Sequence, residues 1–527
     1  MPKNTPESTV TRRSFLGGTL LGLGGLAAAS LTGRPLVAAA EAKRPNIVFI
    51  ITDDQEFESI GAYGGKVLTP HIDSLARDGV RFTRAYATTP VCTPSRYACL
   101  TGQFASRCDD AFFLEKNPYG TQSQVKWDTE LKERGAVTVA SLLRQAGYRT
   151  GFVGKWHNGP RSNKPHEWEE AGFEQYPRDA DPADPAIADK LEHNQRRMSE
   201  LVKARGFDYA ENIYWGNIPQ MKLNALHRHN QEWITKGALD FIDTSRDKPF
   251  FLYMATTLEH GPNPLRSLKS DPRITGEGML DEPLRVQPSR ESVLERVKKA
   301  GLPEAAAPST WLDDGVGAVL RKLRELNLEK DTLVIFFNDH GNKHKATLYE
   351  GGVRTPCLMR YPRKVKPGQV CEALVANIDF LPTTLEASGA DLEPPERHRI
   401  DGKSLVPLAT GEVDALHDDL YLEIGFTRAI VTPRYKYLAV RIPEGARKPE
   451  GKRYHVNTCV PIQKRVEPLH PGYWDADQLY DLEKDPRERT NLAADPEYRK
   501  TVDDMKRRLD RYMKTFRHHF GEFPRKE

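Results

Sequence analysis

Short runs of consecutive apolar residues alternate along this chain with stretches whose apolar positions recur every three to four residues. Asn46 to Thr52 (Asn-Ile-Val-Phe-Ile-Ile-Thr) is β-branched, without the polar alternation of a half-exposed strand, and predicts a strand buried on both faces. Arg149 to Val153, Lys248 to Ala255 (with Phe250-Phe251-Leu252-Tyr253-Met254) and Asp331 to Phe337 predict further strands of the same kind. Between them, Thr138 to Ala146 puts Val139, Leu142, Leu143 and Ala146 on one helical face and stops at Gly147. Asp314 to Leu326 does the same with Val316, Val319, Leu320 and Leu323. Strands alternating with amphipathic helices predict an α/β sheet with helices on both faces.

Polar clusters follow the strand ends, where open α/β sheets place their sites. Asp53-Asp54 follows the first strand, Gly154-Lys155-Trp156-His157 the second, a loop with His260 the third, and Asn338-Asp339-His340-Gly341 the fourth. The regions from about Cys108 to Arg134 and from Pro160 to Asn230 are polar and read as irregular insertions around a pocket. After about Pro407 the texture changes. Arg428 to Val431 and Tyr435 to Leu438 read as short strands and Asp495 to Phe516 as a final helix, which predicts a smaller C-terminal α+β subdomain. The expected division is 1–40 as an export signal, 41–406 as a catalytic domain and 407–527 as the C-terminal subdomain.

Composition narrows the function. With 77 basic and 73 acidic side chains among 527 residues the net charge is +4, and no basic block is present to track a phosphate backbone, so a nucleic-acid partner is not expected. Mean hydropathy is −0.61, and beyond the N-terminus no apolar run is long enough for a stable membrane span in the mature protein. The N-terminus carries Arg12-Arg13 before an apolar Gly/Ala-rich stretch and then Ala38-Ala39-Ala40, the pattern of a twin-arginine signal. That pattern implies the twin-arginine export machinery as a partner and a periplasmic or secreted location. Six cysteines are sparse for this length. The spacing leaves Cys99–Cys108 and Cys357–Cys371 as candidate bridges and settles neither.

The chemistry centres on Cys92-Thr93-Pro94-Ser95-Arg96, followed by Leu100-Thr101-Gly102. A lone cysteine is usually a small buried hydrophobe, but Thr, Pro, Ser and Arg are poor company for a core residue. Asp53, Asp54 and Asp339 offer hard oxygen ligands from two strand ends, a donor set suited to Ca²⁺ or Mg²⁺. Arg96, Lys155 and Lys345 offer positive charge to clamp an oxyanion.

These segments together resemble the formylglycine-dependent sulfatases, the type I family of the alkaline phosphatase superfamily. The resemblance rests on Cys92-x-Pro94-x-Arg96 with Leu100-Thr101-Gly102, Gly154-Lys155-Trp156-His157, the Lys345-x4-Glu350-Gly351-Gly352 segment, and the weaker Leu258-Glu259-His260-Gly261-Pro262. Further likenesses run from Ile378-Asp379-Phe380 through Asp401-Gly402-Lys403 to Leu479-Tyr480-Asp481, so nearly the whole mature chain is covered. The resemblance implies an alkaline-phosphatase-like mixed sheet flanked by helices with a smaller C-terminal subdomain. It implies oxidation of Cys92 to formylglycine by a maturation enzyme, and Ca²⁺ (rather than Mg²⁺ or Mn²⁺) held by Asp53, Asp54, Asp339 and His340 together with residue 92. His340 departs from the commoner asparagine and is a less usual Ca²⁺ ligand. By the same resemblance His157 deprotonates the formylglycine diol, His260 with Lys345 protonates the leaving alcohol, and Lys155, His260 and Lys345 contact the substrate.

A hydrated aldehyde carries two hydroxyls on one carbon. One attacks sulfur, and loss of the other's proton expels sulfate, an exit that a serine lacks. The expected activity is hydrolysis of an organic sulfate monoester, with a sulfated carbohydrate as the expected substrate because of the export signal and the polar insertions. A phosphate or phosphonate ester hydrolase of the same superfamily is the alternative. A non-catalytic carbohydrate-binding relative would show a broken nucleophile or clamp, and Cys92, Arg96, Lys155, His157 and Lys345 are all present.

Overall fold

In the computed structural model the central strands are the apolar runs, and each is fully buried, because helices cover both faces of the sheet. The structure describes residues 43–131, 136–160, 165–390, 392–444 and 464–523. The segment expected to be an export signal and Cys459 therefore lie outside the described residues.

The main sheet has nine strands. They are β1 (Asn46–Thr52), β2 (Val80–Tyr86), β3 (Arg149–Lys155), β4 (Tyr209–Tyr214), β5 (Phe250–Ala255), β6 (Thr332–Asn338), β7 (Arg354–Arg360), β8 (Gln369–Cys371) and β9 (Val375–Ala376). The order along the sheet is β8-β2-β7-β6-β1-β5-β3-β4, with β9 also paired to β2. Strands β6, β1, β5, β3 and β4 run parallel, and β7 is antiparallel to both β6 and β2. The four apolar runs are thus adjacent and point their C-terminal ends at one edge.

One helical group comprises α1 (Pro70–Arg77), α5 (Gln231–Ser245) and α6 (Ala307–Glu325); the other comprises α2 (Cys92–Thr101), α3 (Val139–Gln145) and α8 (Phe380–Ser388). Helix α3 starts as expected, with Thr138 accepting from the Ser141 N–H in a capping box, and Gly147 closes it at φ +82°. Helix α6 begins seven residues before the expected Asp314, because Ala307, Pro308, Trp311 and Leu312 are buried along with the apolar stripe.

The insertion from Pro160 to Asn230 is not irregular. It contains α4 (Pro185–Lys203) and β4, which adds a parallel edge strand beside β3. Both were hidden by polarity: α4 buries a narrow line of Leu191, Asn194, Met198, Ser199 and Val202, two of them polar, and β4 is interrupted by Glu211 and Asn212. The other insertion holds one short helix, Ala111–Lys116, capped by Asp110.

The C-terminal region forms an antiparallel sheet of β10 (Leu420–Ile424), β11 (Thr427–Val431), β12 (Tyr435–Val440) and β13 (Asp477–Asp481). Helix α9 (Arg499–Met513) packs on it, shorter than expected because Asp495 caps a separate turn at Pro496–Tyr498. This sheet shares its apolar cluster with Tyr86, Phe104, Leu348 and Tyr349 of the larger part. A short helix, α7 (Glu350–Val353), precedes β7.

Cys92, Cys99, Cys108, Cys357 and Cys371 are free thiols, so neither candidate bridge forms. For the second pair the reason is topological. Phe82 of β2 pairs with Cys357 on one side and Cys371 on the other, so a whole strand separates the two thiols. Among the described residues no helix is long and apolar enough to cross a membrane.

Candidate active site

Four parallel strands deliver the site. β1 ends at Asp53 and Asp54, β6 at Asp339 and His340, β3 at Lys155 to His157, and β5 leads into the loop with His260. Backbone hydrogen bonds tie these ends together: Asp53 N–H donates to Leu258 O (2.9 Å), Asp339 N–H to Thr52 O (3.1 Å) and His157 N–H to Trp215 O (2.8 Å). Gly154 has φ +91°, and a Cβ there would stand 1.8 Å from Ala255 O, so only glycine lets β3 close on β5 just before Lys155.

Cys92 is the first residue of α2 and has no exposed surface. Its Sγ lies 3.5 Å from Asp53 Oδ1, 3.2 Å from His340 Nε2 and 3.7 Å from Lys345 Nζ. Burial pushes the thiol up, well above its ordinary range, despite Lys155 and Lys345.

Around it stand three carboxylates and three cations, all buried. Arg96, one turn after Cys92, places Nε (3.1 Å) and Nη2 (2.9 Å) on Asp339 Oδ2, and its Nη1 donates to Lys155 O (3.1 Å). Lys155 Nζ donates to Asp53 Oδ2 (2.5 Å) and Asn217 Oδ1 (2.7 Å). Lys345 Nζ donates to Asp54 Oδ1 (2.7 Å). Burial alone would raise the Asp53 carboxyl, but Lys155, His260, Arg96 and Lys345 hold it well below the usual carboxylate range. Asp54 is likewise held low, against its burial, chiefly by Lys345.

Three histidines complete the set. His340 Nε2 lies 3.5 Å from Asp54 Oδ1 and 3.7 Å from Asp339 Oδ1, inside the carboxylate cluster. His260 Nε2 lies 3.6 Å from Asp54 Oδ2. His157, in the left-handed region at φ +53°, stands beside Thr93 on the wall of a cavity, and its buried Nδ1 has no hydrogen-bond partner among the described residues. Burial, with Lys155 and Arg96 nearby, drives its pKa well below the ordinary value, so the ring is neutral at pH 7.

The ten residues read from the sequence therefore converge. Lys345 stands at the cysteine sulfur, and Lys155 pairs with Asp53 beside it. The sequence reading missed the residues that hold them. Asn338 accepts at Oδ1 from Gln55 N–H (2.9 Å) and Thr52 Oγ1 (3.1 Å) and donates to His340 O. Ser95 Oγ donates to Asp339 O, and Asn377 Nδ2 donates to Ser95 Oγ (3.0 Å). Ser95 lay inside the recognised motif; Asn377 and Asn217 carried no local signal.

Oxygen and nitrogen donors of Asp53, Asp339 and His340, with Cys92 Sγ, all lie within 4.8 Å of one another, as do those of Asp53, Asp54, Cys92 and His260. Two anionic oxygen donors and one imidazole beside residue 92 in each set fit a divalent cation.

The Sulfatase family profile matches residues 45–390. Mouse steryl-sulfatase is 27% identical, covering 90% of this chain and 82% of the relative. An N-acetylgalactosamine-6-O-sulfatase of Bacteroides thetaiotaomicron is 28% identical, covering 86% and 90%, and human arylsulfatase A is 29% identical, covering 86% and 84%. Among solved structures, one from glycosaminoglycan metabolism in B. thetaiotaomicron superimposes with a TM-score of 0.60 at 22% identity, covering 89% of this chain and 99% of its own. Another, in complex with its substrate D-glucosamine-2-N,6-O-disulfate, gives a TM-score of 0.57 at 20% identity, covering 90% and 98%. These likenesses show the alkaline-phosphatase-like fold.

Proposed function

The chain belongs to the sulfatase family and is a sulfuric ester hydrolase, and on that premise we propose that it desulfates a carbohydrate through formylglycine formed from Cys92. The observation that carries the mechanism is the enclosure of Cys92 Sγ by Asp53, His340 and Lys345, with Arg96 and Lys155 behind them. Support for the substrate class comes from relatives named for N-acetylgalactosamine and N-acetylglucosamine 6-O-sulfates.

Asp53, Asp54, Asp339 and His340 would hold the divalent cation with the oxidised side chain of residue 92; Ca²⁺ is the first choice. When bound, that ion supplies positive charge against the sulfate oxygens. The chain's own groups do the rest. Lys345 and Lys155 orient the ester and balance its charge. One hydroxyl of the hydrated aldehyde gives its proton to the carboxylate of Asp53, whose Oδ1 stands 3.5 Å from Cys92 Sγ, and attacks sulfur as the sulfur–oxygen bond to the sugar breaks. His260, assisted by Lys345, gives the leaving oxygen its proton. His157, neutral and without a partner at Nδ1 among the described residues, takes the proton of the second hydroxyl. The carbon–oxygen bond to sulfate then breaks, the aldehyde re-forms, and water rehydrates it.

Within this reading, residues 41–406 are the catalytic part and 407–527 the C-terminal subdomain. A formylglycine-generating enzyme and the twin-arginine machinery act on the precursor, the former before export. The decisive test is the mass of the tryptic peptide with Cys92 from protein made with a maturation enzyme, together with hydrolysis of matched sulfate and phosphate esters. A loss of about 18 Da marks thiol-to-aldehyde conversion. An unmodified thiol in fully active protein, or faster hydrolysis of the phosphate ester, overturns the proposal.

A further inference from the structure

Beside the nucleophile lies a cavity of about 230 Å³ that shares two walls with the reacting centre, Thr93 and His157. Thr93 is the next residue after Cys92, so the cavity adjoins the reacting centre. Its other walls include the indoles of Trp127 and Trp215, the amides of Asn217 and Gln220, and the acidic residue Glu130.

These walls are built rather than incidental. Trp215 is fixed from behind by Phe173, stacked at 4.6 Å and 4°, and by Trp168 edge-on at 4.7 Å. Trp127 is half-buried and rests on the apolar cluster of the C-terminal sheet, and the segment just before it is pinned by Gly425 N–H donating to Val125 O (2.8 Å). Its ring lies 6.3 Å from that of His157. Asn217 spends its Oδ1 on Lys155 Nζ, which leaves its amide donors. The Gln220 amide has no hydrogen-bond partner among the described residues. It reaches its place only because residue 216 is glycine: a Cβ there would stand 1.9 Å from Gln220 Oε1 and 2.9 Å from His157 Cδ2.

We propose that this cavity seats the sugar ring that bears the scissile sulfate, with the ring's C–H face on Trp127 and its hydroxyl edge on Gln220 and Asn217. The two kinds of wall match the two sides of a pyranose. Indole supplies apolar area of fixed orientation, and the amides supply hydrogen bonds at the edge. A purely aromatic or steroidal leaving group would satisfy the indoles and leave the amides unpaired in a confined space, which disfavours it. The inference rests on the carbohydrate reading above and assigns residues to it.

The test uses mature, metal-loaded enzyme and the sulfated monosaccharide it hydrolyses fastest. Trp127→Ala and Gln220→Ala are each expected to raise KM for that sugar about tenfold with kcat little changed, the mark of lost binding common to ground and transition states. Trp127→Phe is expected to keep most of the affinity. Inhibition by inorganic sulfate reports the catalytic centre alone and is expected to stay at the wild-type value in all three. If the wild type cleaves the sugar and both alanine variants match its KM, the cavity is not the ring's seat. Variants that lose sulfate inhibition as well would overturn it too, because the residues would then act on the centre and not on the ring. Failure of the wild type on every sulfated sugar, with an aryl sulfate turned over, would bring down the carbohydrate reading itself and the inference with it.

Discussion

Lys436 has no exposed surface, donates one hydrogen bond and stands between two buried carboxylates. It sits on β12 with Nζ 2.7 Å from Glu350 Oε1, 2.9 Å from Glu488 Oε1 and 3.0 Å from Leu348 O. Lys436→Met keeps the stem and removes the charge. Two buried carboxylates then face each other, with Glu488 still accepting from the Glu350 N–H (2.6 Å) and Glu350 from the Tyr86 hydroxyl (3.3 Å). Removing one partner of a buried ion pair costs about 3–5 kcal/mol. The cost depends on pH. Burial, with Glu350 adding to it, already pushes the Glu488 carboxyl up to about 7, so below neutrality a proton relieves part of the repulsion. Urea unfolding followed by tryptophan fluorescence at pH 6 and pH 8 should therefore show the larger loss at pH 8. The double variant Lys436→Met/Glu488→Gln should recover part of it. Because Leu348 and Glu350 end the segment that carries Lys345, kcat should fall as well. A loss below about 1 kcal/mol at pH 8 would refute the reasoning, since it would mean that these carboxylates are solvated or need no counter-charge.

Gly154→Ala places a methyl against Ala255 O and displaces Lys155, so kcat/KM should drop about a hundredfold; activity within twofold of wild type would show that β3 yields without moving the site. His344 and His470 are both lowered from 6.5 to about 4, by burial first and then by nearby cations, and Tyr349 stacks on His470 at 3.5 Å. The folded state thus binds fewer protons than the unfolded chain between pH 6.5 and 4, so stability is complete above 6.5 and declines toward pH 4. His470→Phe should flatten that decline in melting temperature, and parallel slopes for variant and wild type would exclude it. Exhaustive chelation should abolish hydrolysis and lower the melting temperature, with Ca²⁺ restoring both; full activity in the chelated protein would remove the cation from the mechanism.

Some of this was legible in the chain and some was not, for physical reasons. Strands β1, β5 and β6 are buried on both faces and read as uninterrupted apolar runs, so their ends located Asp53, Asp54, His260, Asp339 and His340. The edge strand β4 has only one well-covered side, and its Tyr-Ala-Glu-Asn-Ile-Tyr sequence shows neither alternation nor a run. Its register against β3 also slips between Val153 and Gly154. Missing it meant missing Trp215, Asn217 and Gln220, which follow its end. Asn338 and Asn377 act through geometry alone, since a buried amide that orients a catalytic backbone looks in sequence like any loop asparagine. The bridges allowed by spacing failed because spacing along a chain says nothing about a strand lying in between.

That last point bears on where this molecule is able to mature. Cys99, Cys108 and Cys357 are packed as apolar side chains, and none of the described thiols fastens one segment to another. The described fold draws its cohesion from the sheet, its helices and buried ion pairs, forces indifferent to glutathione. Reductant should leave its unfolding curve where it was, and folding to completion should need no oxidising compartment and no disulfide isomerase. A polypeptide with that property can be finished where it is synthesised, and wherever it is later deployed, a change of redox surroundings neither locks nor loosens it.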